Sequence, residues 1–513
     1  MVVPKGVQVN STSRPSGRMV VVSNRLPFVV ERDERQGWKL IPGSGGLVSA
    51  LLPTLKDRGG VWIGWPGSVQ DEAAARRVLS RSGTLSGYRL VPVVLSPADI
   101  EKFYLGFSNE IIWPLFHDLQ SMCNFDPDYW QSYVTVNRKY AAAVRGATRP
   151  GDFVWVHDYH LMLLGRELRR LRLQNRMAFF LHIPFPPPDI FFKLPWRQEL
   201  VWALLEFDLI GFQTWRDRHN FLQCLEVLAP QTSCSGRSQV ISVRFAGRTI
   251  RVGHFPISVD FSALEHAARQ ESVRREVERL QNALHNRQLI LGLDRLDYTK
   301  GILYRLQAFH YALEHNPALK DRVTLVQVVV PSRGDIPRYH ELRLRIEQTV
   351  SRINGQYTRP GSWVPIHYIY RNLSPTELSA FYRAAGIALV TPLKDGMNLV
   401  AKEYCACSLE EDCVLILSEF AGAAAQLHHW ALTVNPYDVK GVADAIARAY
   451  RMDLEERHRR MRPMRRSIRR HDIFWWLDLF LHAAFRRDLE DFPVEAKSLR
   501  EGTEHRQARR RRR

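Results

Sequence analysis

Short apolar runs of strand length recur along this chain, and a stretch that can form a helix follows most of them. The runs cover residues 19–23, 61–67, 88–95, 152–164, 177–182 and 209–214 in the first half, and residues 288–293, 323–330, 365–370, 387–390 and 414–418 in the second. Continuous apolar runs of this length are typical of parallel strands that are buried on both faces. Their alternation with helices in two blocks predicts an α/β protein with two parallel-sheet domains that face each other across a cleft. The segment Gly253–Asp260 breaks the alternation, so we place the domain boundary near it.

The chain has a formal net charge of +19, because 72 Lys and Arg residues outnumber 53 Asp and Glu residues. Much of the excess lies in residues 457–470 and 509–513, away from the strand and helix blocks. A charge this local is typical of a solvated helix face and a disordered tail. Nucleic acid is the alternative partner for such a tail, and we do not favour it.

Membrane insertion and secretion are not expected. The chain has no run of eighteen or more uncharged apolar residues, which a membrane-spanning helix requires. Its first residues contain Pro, Ser and Gly where a signal peptide needs a continuous apolar region. We therefore predict a cytoplasmic protein.

Cysteine usage predicts neither a disulfide framework nor a metal site. Six cysteines are few for a chain of 513 residues. Cys405, Cys407 and Cys413 are clustered, but a fourth ligand at the usual zinc spacing is missing. We expect reduced structural thiols and no metal.

The stretch Thr391–Tyr404, TPLKDGMNLVAKEY, follows an apolar run and can open a helix from Met397 onward. A strand that ends in a glycine turn before a helix leaves free backbone N–H groups, which suit an anionic group. Asp395 and Glu403 lie eight residues apart, so about two helical turns separate them along one pocket wall. The alternative is an ordinary connection between a strand and a helix.

The run 288–293 ends in a second polar turn, Asp294–Gly301, with the sequence DRLDYTKG. Arg295 and Lys300 sit where the next helix begins, so two cations and a helix N-terminus converge on one point. This combination predicts a pyrophosphate site. Two surface cations beside two aspartates would be the simpler interpretation of this turn taken alone.

Polar residues also follow the apolar runs of the first half. Asn24-Arg25 ends the first run, His157-Asp158-Tyr159-His160 interrupts another, and His182 ends a third before several prolines. Open parallel sheets bind ligands at the carboxyl ends of their strands, which is where these residues lie. A lone histidine is more often structural than catalytic, and both roles stay open.

Two further features of the first half are compatible with a ligand site. Tyr104 and Trp113 lie in an aromatic-rich stretch where they either pack in the core or line a sugar site. The glycine-rich turn 43–46 lets backbone approach a ligand closely. It does not match the G-x-G-x-x-G fingerprint, so no dinucleotide cofactor is inferred.

Thirteen motifs along the chain carry a resemblance to a known family. They are VVVSNRLP, GSGGLVSAL, WIGWPG, FYLGFSNEIIWPLFH, WVHDYHLMLL, FFLHIPFPPPDIF, DLIGFQT, LDRLDYTKGI, PSRGD, RINGQY, TPLKDGMNLVAKEY, LSEFAGAA and VNPYD. The motifs extend from Met19 to about Leu481. In sequence and in order they resemble the motifs of the trehalose-6-phosphate synthase family of retaining glycosyltransferases. The resemblance implies the GT-B fold, with two Rossmann-like domains facing across a cleft.

The resemblance also implies a domain organisation. It consists of a disordered leader over residues 1–18, an acceptor domain over 19–255, a nucleotide-sugar donor domain over 256–465, C-terminal helices over 466–490 that pack back on the first domain, and a basic disordered tail over 491–513.

The donor, a nucleotide-glucose, would be bound by residues from several motifs. Arg295 and Lys300 would hold its pyrophosphate, while Glu403 would take the ribose hydroxyls. Asp395 would bond the glucose, with His182 near the 6-hydroxyl. The close-approach and backbone positions implied by the resemblance are Gly46, Gly396, Met397, Asn398, Leu399 and Val400.

The acceptor implied by the resemblance is glucose 6-phosphate. Arg25 and Arg333 would meet its phosphate, and Tyr104 and Trp113 would contact its sugar ring. Asp158 would lie near the reacting hydroxyl.

The chemistry implied by the resemblance needs positioning and charge stabilisation more than a protein nucleophile. Retention would follow a front-face route, in which the leaving phosphate helps to take the acceptor proton. No pair of double-displacement carboxylates, no metal and no cofactor is then required. Asp158, His182, Arg295, Lys300 and Asp395 are the predicted catalytic residues.

Several questions stay open at this level. Glycerol 3-phosphate or a cyclitol phosphate is the alternative acceptor, because related enzymes use them and the loop between Arg25 and Gly46 is longer than in shorter bacterial relatives. A non-catalytic sugar-phosphate sensor is the alternative of a different class. The donor base and the oligomeric state are undetermined. Because no Asp-x-Asp phosphatase motif follows, dephosphorylation of the product is predicted to belong to a separate protein.

Overall fold

The computed structural model of the protein describes residues 17–33, 37–42, 51, 52, 55, 59–67, 79, 87–236, 238–285, 287–333, 336–358 and 363–486. The chain divides into two compact units. Unit 1 contains the residues up to Phe255 together with those from Trp476 onward, and unit 2 contains Pro256–Trp475. Residues 1–16 of the predicted leader 1–18, the predicted tail 491–513 and Gly46 lie outside the described residues.

Unit 1 is built on a largely parallel sheet. Its strands are β1 Met19–Arg25, β2 Phe28–Asp33, β3 Gly37–Pro42, β4 Gly60–Trp65, β5 Arg89–Pro92, β6 Phe153–His157, β7 Met177–Phe180, β8 Leu209–Phe212, β9 Ser233–Ser235, β10 Val240–Phe245 and β11 Arg248–His254. The sheet order is β5-β4-β1-β6-β7-β8-β11-β10-β9, with β2 and β3 forming a separate hairpin. The strands from β5 to β11 in this order are parallel, and β10 runs antiparallel to both of its neighbours.

The helices of unit 1 cover this sheet. They are a π-helix, Ile100–Ile112, that continues into Trp113–Phe116, and the α-helices α1 Pro127–Ala147, α2 Leu164–Arg170, α3 Pro188–Phe191, α4 Arg197–Leu204 and α5 Trp215–Leu228. Every residue of β6 and β7 is buried, as expected for parallel strands covered on both faces. The carboxyl ends of β1, β6, β7 and β8 therefore share one edge of the sheet.

Unit 2 is a six-stranded sheet in which every strand is parallel. The strands are β12 Gln288–Arg295, β13 Val323–Val330, β14 Ile366–Tyr370, β15 Ile387–Val390, β16 Val414–Ser418 and β17 Leu432–Val434. Their order is β14-β13-β12-β15-β16-β17, so the winding reverses between β12 and β15. Such a reversal opens a crevice beyond the carboxyl ends of the two strands, where this class of sheet binds ligands.

The helices of unit 2 are α6 Phe261–Ala268, α7 Glu271–Ala283, α8 Ile302–His315, α9 Pro337–Tyr357, α10 Pro375–Ala384, α11 Leu399–Cys407, α12 Ala424–Leu427, α13 Val439–Arg451 and α14 Leu454–Arg470. The prediction of an α/β protein with two parallel-sheet domains is confirmed. No helix in the described ranges has the length and apolar character that a membrane span requires.

The last described helix, α15 Ile473–Phe485, begins in unit 2 and enters unit 1 at Trp476. The ring of Trp155 in β6 lies 5.3 Å from that of Trp476 and 4.3 Å from that of Phe480. Residues 466–470 instead belong to α14, so the return to unit 1 starts ten residues later than the predicted 466. The core of unit 1 is therefore completed by the last described helix of the chain.

Candidate active site

The reversal point of unit 2 brings the two predicted polar turns together. Lys300, in the turn after β12, forms an ion pair with Asp395, in the turn after β15, with 2.5 Å between Nζ and Oδ2. The same carboxylate oxygen accepts from Asn398 Nδ2 at 3.1 Å. Two residues that are 95 positions apart in sequence thus share one point at the carboxyl edge of the sheet.

Three cations surround the buried carboxylate of Asp297. Arg295 is the exposed last residue of β12, and Arg333 Nη1 lies 3.5 Å from Asp297 Oδ2. Burial alone would raise the pKa of Asp297, but the charges of Arg333, Lys300 and Arg295 hold it below its ordinary value. Arg333, which was predicted on the acceptor side, therefore lies beside the predicted donor cations Arg295 and Lys300. This cluster is suited to an anionic ligand.

The turn 395–398 is held by the loop that follows β16. Asp395 N donates to Phe420 O at 3.2 Å, Gly422 N donates to Asp395 O at 3.0 Å, and Ala423 N donates to Met397 O at 2.7 Å. A Cβ at Gly422 would lie 1.8 Å from Gly396 O, so only glycine permits this approach.

The helix after this turn starts two residues later than predicted. Asn398 adopts the left-handed conformation with φ 69°, and α11 begins at Leu399 rather than Met397. The backbone N–H groups of Leu399 and Val400 are consequently at the N-terminus of α11, where no intrahelical acceptor exists for them.

Arg305 forms hydrogen bonds with residues of both turns. The sequence did not predict this role. Its side chain is 1% exposed and donates to Asp294 Oδ2 at 2.6 Å and to Thr391 Oγ1 at 3.0 Å. Its Nη2 donates to Lys300 O at 3.4 Å. Asp294 is fully buried, and this burial raises the pKa of its carboxyl. A sequence signal existed, because Arg305 lies on the otherwise apolar face of α8 next to Leu306.

Glu403 lies in the second turn of α11, beyond the Asp395 turn. Its Oε2 accepts from the hydroxyl of Tyr382 in α10 at 2.6 Å. Burial raises the pKa of Glu403. The sequence analysis selected Glu403 but not Tyr382.

In unit 1, residues at or just after the carboxyl ends of β6, β7 and β8 converge. His157 Nδ1 lies 3.1 Å from His182 Nε2, and Gln213 Nε2 lies 3.5 Å from His182 Nδ1. Burial lowers the pKa of His182 to about 3, and burial also lowers the pKa of His157. Both rings are therefore neutral near pH 7, and neither is a proton donor of imidazolium type there.

Asp158 is attached to the same group. Its Oδ1 accepts from His182 N at 3.3 Å, and its backbone has φ 76°. A positive φ is uncommon for a residue other than glycine, and such positions are concentrated at functional sites. Asp158 and His182 were both predicted, whereas His157 and Gln213 were not assigned roles.

A second group in unit 1 surrounds Arg25, the exposed last residue of β1. Its guanidinium carbon lies 4.5 Å from the ring centroid of Trp65 and 5.3 Å from that of Tyr104. A Cβ at Gly64 would lie 2.8 Å from the Arg25 carbonyl carbon, so glycine lets β4 approach the end of β1. Stacking on two rings fixes the guanidinium in place. Its N–H groups lie in the plane of the guanidinium, where they can donate to an anion. Trp65 is the second Trp of the motif WIGWPG, which was noted without being selected.

The aromatic chain continues from Tyr104, in the π-helix, to Trp113. Tyr104 stacks on His160 with 5.9 Å between centroids, and His160 stacks on Tyr159 at 4.0 Å. Trp113 is 5% exposed and packs against Tyr159 at 5.8 Å. The π-helix and the short helix that continues it thus carry the predicted acceptor residues Tyr104 and Trp113.

The predicted residues therefore form groups within each unit. In unit 1 one group contains Arg25, Tyr104 and Trp113, and another contains Asp158 and His182. In unit 2 Arg295, Lys300, Arg333 and Asp395 cluster, with Glu403 further along α11. Within the described ranges, no three His, Cys, Asp or Glu side chains are grouped so that they could hold a metal ion.

Comparisons with known proteins agree with these motifs. The family described as Glycosyltransferase family 20 matches residues 17–486. The chain is similar to a trehalose-6-phosphate synthase of Mycobacterium bovis, at 45% identity over 90% of this chain and 94% of the relative.

The chain is also similar to solved structures of trehalose-phosphate synthases. A UDP-forming alpha,alpha-trehalose-phosphate synthase from Burkholderia xenovorans, solved with glucose 6-phosphate, has a TM-score of 0.81 and 36% identity, covering 91% of this chain and all (100%) of that one. The E. coli protein bound with UDP-2-fluoro glucose has a TM-score of 0.82 and 35% identity, covering 92% of this chain and 100% of that one.

Proposed function

This chain belongs to glycosyltransferase family 20, and from that premise we propose that it makes α,α-trehalose 6-phosphate from UDP-glucose and glucose 6-phosphate, with release of UDP. Its fold class is GT-B. The observation that carries the proposal is the convergence of Arg295, Lys300 and Arg333 on Asp297, at the strand reversal of unit 2. The similarity over nearly the whole chain to proteins named as trehalose-phosphate synthases supports it.

Unit 2 provides the donor-binding residues in this proposal. Arg295 and Lys300 bind the diphosphate and oppose the negative charge that grows on it as the bond to glucose breaks. Asp395 accepts from hydroxyls of the glucose ring. Lys300 pairs with Asp395, so a diphosphate that binds Lys300 would compete with this pair and release carboxylate oxygens of Asp395 for the sugar. Glu403 and the N–H groups of Leu399 and Val400 hold the nucleoside.

Unit 1 provides most of the acceptor-binding residues. The stacked guanidinium of Arg25 is presented in the plane that suits a phosphate. Tyr104 provides an aromatic surface for the sugar ring. Asp158 accepts from the reacting hydroxyl.

The reaction retains configuration without a protein nucleophile. The bond between the anomeric carbon and the UDP oxygen breaks, and the acceptor oxygen attaches on the same face. The acceptor proton passes to the leaving phosphate oxygen. His182 is neutral, and we assign it to positioning the glucose and excluding water, not to proton transfer. Reactant positioning and fixed cations then supply most of the rate enhancement.

The product carries a phosphate monoester, and we infer that a separate phosphatase consumes it. We further propose that the enzyme works in the cytoplasm.

An activity matrix tests the proposed function. Purified protein is incubated with UDP-, ADP- and GDP-glucose against glucose 6-phosphate, glycerol 3-phosphate and a cyclitol phosphate, with mass-spectrometric detection of products. UDP release should require glucose 6-phosphate. No transfer from any donor would refute the proposed function, whereas transfer to another acceptor would correct its substrate.

A pair of arginine variants tests the site. Arg295→Ala should lower kcat by at least ~100-fold, because one donor aimed at developing charge is typically worth that much. Arg287 is the matched control, because it precedes the opposite end of β12 and pairs with Asp321 at 2.7 Å. Arg287→Ala should leave kcat within about twofold of wild type, since exposed pairs contribute little. Equal effects of the two substitutions would remove Arg295 from the mechanism.

A further inference from the structure

The hydroxyl of Tyr382 is directed at the carboxylate that we assign to the ribose of the donor. It lies 2.6 Å from Glu403 Oε2, and Tyr382 is 1% exposed in α10. In the described part of the chain, no other side chain donates a hydrogen bond to Glu403, and its Oε1 has no partner. One carboxylate oxygen is therefore fixed by protein, and the other remains for a ligand.

We propose that Tyr382 is a positioning residue for the nucleotide donor, holding Glu403 in the rotamer whose second oxygen accepts from the ribose hydroxyls. The inference rests on the proposed function. A glutamate side chain has three rotatable bonds, and fixing them before the ligand arrives removes an entropic cost from binding. Tyr382 acts only through Glu403 and does not touch the ligand.

The electrostatics of the pair agree with this role. A carboxylate can accept from two hydroxyls only when it is ionised, and burial raises the pKa of Glu403, which opposes ionisation. The hydrogen bond from Tyr382 favours the ionised form. Burial and the Glu403 charge raise the pKa of Tyr382 well above its ordinary value, so Tyr382 remains the donor.

Other titratable groups around the pair do not replace Tyr382. Cys407, one turn further along α11, interacts with Glu403 as a thiol whose pKa burial raises to about 12. Asp294, at the end of β12, acts on Tyr382 as a further negative charge. The neighbouring Lys402 donates instead to Ile257 O at 2.8 Å.

The chain offers a matched control in Tyr404, the residue after Glu403. Tyr404 is fully buried, at 0% exposure, and its hydroxyl donates to Ala385 O at 2.8 Å. Tyr382→Phe and Tyr404→Phe each delete one buried hydroxyl that donates to a group bordering α11. Only the first deletion removes a bond to Glu403.

Binding is measured by calorimetry with UDP and with 2′,3′-dideoxy-UDP, which lacks the ribose hydroxyls. Tyr382→Phe should weaken UDP binding about tenfold, the value of a hydrogen bond to a charged group, and should not change binding of the dideoxy nucleotide. Tyr404→Phe should change neither. An equal loss for both nucleotides, or an equal loss in both variants, would overturn the positioning role.

Kinetics give a second readout. Tyr382→Phe should raise the KM for UDP-glucose about tenfold, with kcat and the KM for glucose 6-phosphate close to wild type. As the pH falls, the donor KM should begin to rise at a higher pH in Tyr382→Phe than in wild type, because the carboxylate has lost the bond that favours its charge. An unchanged pH profile would contradict the inference.

The experiments can refute the proposed function and the positioning role of Tyr382 independently of each other. If wild type transfers no glucose but binds UDP in a manner that depends on Tyr382, the proposed function is refuted and the positioning role stands. If wild type is active and Tyr382→Phe matches Tyr404→Phe in every measurement, the positioning role is refuted and the function stands.

Discussion

Arg305→Met should destabilise unit 2 by about 3–5 kcal/mol, because the substitution leaves the buried carboxylate of Asp294 without its charged partner. In the native protein Arg305 also donates to Thr391 and to the Lys300 carbonyl, so both turns of the proposed donor site lose a hydrogen-bond donor. Methionine has similar length, which keeps the cavity contribution small. For a unit of this size, a loss of 1 kcal/mol in the free energy of unfolding lowers the melting temperature by roughly 2–4 °C. The melting temperature of unit 2 should therefore fall by about 10 °C.

Differential scanning calorimetry of wild type and Arg305→Met at neutral pH measures this shift. The double variant Arg305→Met/Asp294→Asn removes the unpaired charge and should recover part of the loss, by at least ~1 kcal/mol. The folded-state pKa of Asp294 is already raised and rises further without Arg305. The native carboxyl therefore takes up its proton at a higher pH than the unfolded chain, and the destabilisation should shrink as the pH falls through that range.

Arg465→Met is the matched control for catalysis. Arg465 is also buried in unit 2, where it donates to Cys405 O and Ala406 O, at 2.7 Å each. Both variants should lose stability, and only Arg305→Met should lower kcat at a temperature where both are folded. A melting shift below about 2 °C, or no recovery in the double variant, would refute the reasoning about Asp294.

Three further predictions concern other parts of the chain. Gly422→Ala should lower turnover at least ~10-fold, because its methyl group collides with Gly396 O; a steady-state rate near wild type would show that the turn can yield. His157 and His182 are neutral when folded and take up protons below about pH 6.5 when unfolded, so the free energy of unfolding should fall from about pH 6.5 towards pH 3. His157→Gln should flatten that slope in urea titrations, and an unchanged slope would contradict the assignment. Deletion of residues 501–513 should leave kcat unchanged, because their charge lies away from the motifs; lost activity would give the tail a role.

The strands of unit 2 could be predicted closely from sequence. Val323–Val330, Ile387–Val390 and Val414–Ser418 have the predicted bounds. Each is a continuous apolar run, and such a run indicates a strand that is buried on both faces of the sheet. The antiparallel pairs β2–β3 and β10–β11 are formed by segments that are adjacent in sequence.

Features set by distant contacts could not be predicted. The 13-residue π-helix is one such feature, because its sequence has no local signal that distinguishes it from an aromatic-rich α-helix. Arg333 was predicted as a phosphate ligand, whereas its position beside Asp297 depends on a turn with φ 51° that the sequence did not predict. The roles of Arg305 and Tyr382 could not be predicted, because they depend on hydrogen bonds to partners that are distant in sequence, such as Thr391 and Glu403.

The crossing of α15 into unit 1 has a consequence for biosynthesis. Unit 1 is translated first, yet the rings of Trp476 and Phe480 that pack on Trp155 leave the ribosome only after all of unit 2. Until then the nascent sheet exposes a large aromatic face of the kind that chaperones recognise. The core of unit 1 is therefore completed only after unit 2 has been synthesised, so the first half of the chain is the last to finish folding.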